Sequence, residues 1–162
     1  MNHVKLIAIV ILFSFGALAA ETNYVSDGQW FTMKKSVTEE GDNRIFKFEF
    51  TDAIDGSTLS SEDIALTKDG RLETYHWQQN QTHDDVKIEL VGHNLNFISG
   101  KKSKTIKLSD EDISHLVMPP LLADFAAQHW AEVKKDKKLE LLLVVPGSAD
   151  KIKIKLGHEN CH

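Results

Sequence analysis
The residues whose chemistry could do work are histidines, one cysteine and their neighbouring carboxylates, and they fall in three places. At the C-terminus, His158-Glu159-Asn160-Cys161-His162 sets imidazole and thiol groups close together, and both ligand types suit zinc or copper. The His-x-x-Cys-His spacing falls short of covalent haem attachment, which needs two cysteines for two thioether bonds; only Cys161 is present. A frayed tail does not hold ligands fixed, so no metal and no cofactor is expected. A lone cysteine can also pair with a second chain.

The second group is His76 beside Trp77, His83 followed by Asp84 and Asp85, and His93 between Gly92 and Asn94. Histidine near carboxylate can act as a general base or a ligand, and neighbouring hairpins bring turns to one edge. No nucleophile elbow, His-Glu-x-x-His helix or glycine-rich phosphate loop accompanies them. Polar turn residues are the simpler reading, so no catalytic residue is expected. The third place is His129, on the apolar side of a helical pattern. It is either a core histidine bonded to backbone or water, or a ligand contact.

These residues need elements to position them, and composition bounds what those are. The chain has 162 residues, 41% hydrophobic and 27% charged, ordinary for one globular domain. Lys and Arg number 19 against 24 Asp and Glu, a formal charge of −5. No basic run is interleaved with aromatics, so no nucleic-acid partner is expected. With Cys161 alone, neither an intramolecular disulfide nor a multi-thiolate zinc site can form.

Residues 1–20 read as a secretory signal peptide: a weakly basic start through Lys5, an apolar run from Leu6 to Leu18, and the small residues Ala19 and Ala20. The apolar stretch is shorter than the roughly 20 residues a spanning helix needs, so cleavage is expected rather than anchoring. The expectation is therefore a single domain over residues 21–162, periplasmic or secreted, with no stable membrane span after cleavage.

Beyond Trp30 the pattern is mostly that of strands. Phe46, Phe48 and Phe50 alternate with Lys47 and Glu49, the period of a half-buried strand. Asp55-Gly56 and Asp69-Gly70 are hairpin signals, as are Gly92-His93-Asn94 and the stretch from Gly100 to Ser103. Ser109, ahead of Asp110, Glu111 and Asp112, suits a helix start. Pro119-Pro120 stops that short element and opens a second helix. Leu122, Phe125, Ala126, His129 and Val133 recur at three- and four-residue spacing, which predicts one amphipathic helix running to about Lys135. Leu139 to Val145 is apolar on both faces, as in a covered central strand. In the last strand Lys151, Lys153 and Lys155 form a solvated face opposite Ile152, Ile154 and Leu156. The expected fold is α+β: an antiparallel meander, or half-barrel, of about 8–9 strands with one long amphipathic helix packed on its concave face. The last strand's edge is expected to lack a covering C-terminal segment, so that either it pairs with a protein partner or the sequence is incomplete.

The stretch Pro119-Pro120-Leu121-Leu122-Ala123-Asp124-Phe125, then His129-Trp130, and the apolar strand ending Val145-Pro146 resemble a set of exported bacterial proteins of unknown function. The order of signal peptide, meander and inserted helix is similar to the half-barrels of the periplasmic lipoprotein carriers. In those carriers the concave face and helices hold acyl chains, so the resemblance implies a hydrophobic ligand. It transfers no ligand residue individually.

From the residues themselves, the aromatics on the predicted concave face could line an apolar pocket. Phe46, Phe48, Phe50, Trp77, Phe125 and His129 are the expected ligand-binding residues. The expected function is an exported non-enzymatic carrier for a lipid-like or other hydrophobic small molecule. The alternatives are a protein-interaction module using an exposed sheet edge and an exported hydrolase built on His76, His83 or His93.

Overall fold
A computed structural model describes residues 20–26, 29–136 and 138–157. The proposed signal segment at residues 1–19 and the tail His158 to His162 lie outside the described residues. The first eight strands are β1 (Ala20–Ser26), β2 (Gln29–Glu40), β3 (Asn43–Asp52), β4 (Thr58–Thr67), β5 (Leu72–Gln79), β6 (Asp84–Val91), β7 (Asn94–Ser99) and β8 (Lys102–Lys107). They form one eight-stranded sheet in chain order, every neighbouring pair antiparallel. Short turns drive this order, because an antiparallel pair needs only a tight reversal. Gly100 illustrates the requirement: its φ of 57° is a left-handed conformation that glycine adopts without a Cβ penalty, and it closes the two-residue link between β7 and β8.

The rest of the chain builds a second layer. Helix α1 (Asp110–Ser114) is followed by β9 (Leu116–Val117), a 3₁₀ turn at Pro119–Leu121, helices α2 (Leu122–Gln128) and α3 (Trp130–Asp136), and strands β10 (Lys138–Val145) and β11 (Asp150–Gly157). β10 is the middle of a three-stranded sheet, antiparallel to β11 and parallel to β9. Leu141, Leu142 and Val144 are all buried, so both faces of β10 are covered. At α1 the Asp112 N–H donates to Ser109 Oγ at 3.1 Å and the Ser109 N–H donates back to Asp112 Oδ2 at 3.3 Å, a reciprocal cap of orphan donors.

One core joins the layers. Phe46, Phe48, Ile64, Tyr75, Ile88, Leu95 and Phe97 of the large sheet share a cluster with Val117, Met118, Leu121, Leu141, Leu142 and Val144.

This corrects the expected fold class. The molecule is mostly β, with eleven strands in two sheets among the described residues, and no long amphipathic helix lies on a concave face. The continuous periodicity from Leu122 to Val133 is divided into two seven-residue helices. His129, at φ −95° and ψ 12°, ends the first. The division is invisible to spacing because both i→i−4 bonds around it persist: His129 N–H to Phe125 O at 3.1 Å and Val133 N–H to His129 O at 3.0 Å. The apolar phase therefore continues through a single non-helical residue. A second sheet, rather than one helix, provides much of the apolar cover over the large one.

Candidate functional site
The register of the large sheet places its inner residues in rows. One row runs Val37, Phe46, Ile64, Tyr75, Ile88, Phe97, Lys104 from β2 to β8. The next runs Lys35, Phe48, Glu62, Trp77, Val86 from β2 to β6. The first row is apolar until it reaches the edge. The second sets a cation and a carboxyl on either side of Phe48.

The expected ligand-binding residues fall into two sets, four of them on this face and Phe125 and His129 on α2 and its end. Phe46 and Phe48 are 9% and 2% exposed and belong to the packed core. Phe50, Trp77, Phe125 and His129 are half-buried. Phe125 and His129 stack at 4.3 Å between ring centroids with planes 19° apart. Phe50 meets Phe31 at 6.1 Å, and Trp77 lies 3.8 Å from where a Cβ on Gly147 would sit.

Two polar pairs within these rows carry no obvious sequence signal. Lys35 Nζ donates to Asp124 Oδ2 at 2.5 Å, with side chains only 12% and 28% exposed. The same ammonium lies 5.6 Å from the ring centroids of both Phe46 and Phe48, within cation–π range. This ties α2 to β2. Tyr75 Oη donates to Glu62 Oε2 at 2.6 Å. Burial pushes the Glu62 carboxyl above its usual range, against the opposing pull of the tyrosine hydrogen bond. Burial also raises the Tyr75 phenol, reinforced by the neighbouring Glu62 charge.

The histidines do not converge. His76 Nε2 contacts Asp85 Oδ1 at 2.8 Å across β5 and β6, and this bond holds Asp85 below its usual range. His93 pairs with Asp110 at 2.9 Å. His83 occupies a turn with a left-handed φ of 57°. These are separate positions, with His83 and His93 exposed and His76 half-buried. Among the described residues no group of three His, Cys, Asp or Glu is arranged to hold a metal, and no helix is long and apolar enough to cross a membrane.

A depression beside α1 is lined by Glu111, Asp112, His115, Glu140, Leu141, Leu142 and Lys153. Two of its three carboxylates, Asp112 and Glu140, are engaged. Asp112 is held below its usual range first by the Ser109 N–H and then by Lys151, whose Nζ lies 3.2 Å away. Glu140 is lowered by Lys155 at 2.8 Å, and Lys155 is raised in return by Glu140. Two of the β11 lysines, expected to be a solvated face, are thus neutralised internally.

The edges differ. β11 presents Ile152 at 51% exposure beside these paired lysines. β8 ends the large sheet with no further strand beside it among the described residues. Lys101, Lys102, Lys104 and Lys107 there are exposed. In the sequence Gly100 to Ser103 has the pattern of a turn alone, and the signal for a basic edge is the lysine spacing across Lys102, Lys104 and Lys107. No family model, curated protein or solved structure matches this chain.

Proposed function
We propose that this protein is an exported, non-enzymatic interaction module, periplasmic or secreted, that engages a protein partner through an open sheet edge. The observation that carries this reading is β8: a six-residue strand with β7 on one side and no strand on the other among the described residues. Such an edge offers backbone donors and acceptors to an added strand. Export rests on the signal-peptide pattern of residues 1–20. The test is site-specific photo-cross-linking in cells that export the protein, with benzoylphenylalanine replacing Ser103 on β8 and, as a control, Lys47, an exposed residue of the interior strand β3. Discrete protein adducts at position 103 alone are expected. Adducts at neither position, or equally at both, overturn the reading.

A carrier for a lipid-like ligand is the second reading, favoured by the half-buried aromatic pairs Phe31–Phe50 and Phe125–His129. Native mass spectrometry of protein purified from its own host decides it. A stoichiometric apolar molecule supports the carrier; a ligand-free protein that takes up no added fatty acid removes it.

A further inference from the structure
We propose that the β8 edge takes an extended acidic segment of a partner protein as a ninth strand; this rests on the interaction-module reading above and adds the partner's chemistry.

Backbone geometry identifies the free groups. Ser99 and Lys102 flank the two-residue turn, and beyond them the pairs run Ile98–Ser103, Phe97–Lys104, Asn96–Thr105, Leu95–Ile106 and Asn94–Lys107. In a two-residue hairpin the flanking pair is hydrogen-bonded, and bonded and non-bonded pairs alternate from there. The far end agrees in phase, because the Leu108 N–H donates to His93 O at 2.8 Å. Ser103, Thr105 and Lys107 therefore turn their N–H and C=O groups outward, to the open edge.

Side chains then select what can use those groups. On the inner side β8 presents Lys102, Lys104 and the half-buried Ile106; on the outer side it presents Ser103, Thr105 and Lys107. Lys101 caps the turn. None of these four lysines takes part in an ion pair with another described residue. The contrast with β11 is direct, since Lys151 and Lys155 there are paired with Asp112 and Glu140. Four uncompensated cations thus line one edge of a chain whose formal charge is −5.

Like charges facing each other across strands are unfavourable and opposite charges favourable. A second β8 paired antiparallel about Ser103 or Lys104 would set lysine against lysine, so the edge resists pairing with its own copy in those registers. A strand laid antiparallel, as throughout this sheet, with an apolar residue followed by carboxylates at the next two alternate positions, faces Ile106, Lys104 and Lys102 in turn. Attraction to the acidic partner and repulsion of the self-pair both contribute to specificity. Polyanions such as nucleic acid or an anionic bilayer can meet the lysines, but they do not complete a β ladder.

The experiment is fluorescence anisotropy with a labelled peptide Thr-Val-Thr-Glu-Thr-Glu-Thr and its counterpart carrying Lys in place of Glu, titrated with the exported protein. The acidic peptide is expected to bind at least tenfold more tightly than the basic one. Binding should fall at least tenfold in the Lys102→Glu, Lys104→Glu double variant. It should fall similarly in Ser103→Pro, which removes an outward N–H at an edge position where proline is tolerated. If Ser103→Pro does not fold, the acidic peptide N-methylated on alternate residues, in each phase, provides the same test on the unaltered protein. Loss in one phase is expected; undiminished binding in both overturns strand addition. Undiminished binding to a folded Ser103→Pro variant, with equal binding of a thymidine oligonucleotide or phosphatidylglycerol vesicles, reassigns the edge to polyanions. No binding of the acidic peptide, alongside protein adducts at position 103, overturns this inference alone. Absence of adducts as well overturns the interaction-module reading with it.

Discussion

The Tyr75 hydroxyl donates a 2.6 Å hydrogen bond to Glu62 Oε2 on the adjacent strand, two residues off the direct cross-strand pairs Ile64–Tyr75 and Glu62–Trp77. The bond is therefore diagonal, between inner-face residues of β4 and β5. It places a carboxyl beside the aromatic core, where ionisation is costly.

A carboxyl whose folded-state pKa lies above its unfolded value binds more protons when folded. For Glu62, raised by burial from about 4.5, the stabilising contribution is full below the unfolded pKa and is lost as pH rises through the folded one. Glu62→Gln keeps an acceptor for Tyr75 and removes the titration. Thermal melts from pH 4 to pH 8 should show a flatter dependence of Tm on pH in the variant, with its relative stability greatest at the upper end. An unchanged pH profile would refute the assignment.

Tyr75→Phe leaves the half-buried glutamate without its donor, a loss that should cost about 1–2 kcal/mol. Urea unfolding of Tyr75→Phe, Glu62→Gln and the double variant should give a coupling energy clearly above zero. Additive effects would show that the bond contributes nothing.

The pair Lys35–Asp124 fastens α2 to β2. Removing the ammonium, as in Lys35→Met, takes this partner from the half-covered Asp124 and should cost about 1–3 kcal/mol in urea unfolding. Hydrogen exchange should quicken most in α2, with smaller changes in β5 and β6. Uniform acceleration across the molecule would mean that the ion pair is not a local fastening.

Phe48→Ala empties a fully buried site and should cost about 3–5 kcal/mol. Phe125→Ala removes a half-buried ring and should cost less than half as much. Chemical denaturation with matched m-values distinguishes the two. Equal costs would place Phe125 in the core on the same footing as Phe48.

Ser109→Ala removes a helix cap and should cost about 1 kcal/mol. The loss should be visible as a lower urea midpoint with the m-value unchanged. No shift would mean that the reciprocal bonds with Asp112 are already solvent-compensated.

What the sequence alone determined is local. Alternation at Phe46, Phe48 and Phe50, glycine-marked reversals at Gly56, Gly70, Gly92 and Gly100, the cap at Ser109 and the two-faced apolarity of Leu141 to Val144 all depend on neighbours a few residues away. The tertiary structure alone decided what depends on distance along the chain. Lys35 finds Asp124 at a sequence separation of 89, and Tyr75 finds Glu62 through strand register. β10 enters a second sheet, partly through a two-residue parallel contact with β9. The apolar phase through His129 conceals the division of the helix, because one non-helical residue leaves the 3.6-residue spacing intact. The two lysine edges differ for the same reason: composition makes β8 and β11 alike, and only packing places Asp112 and Glu140 beside one of them.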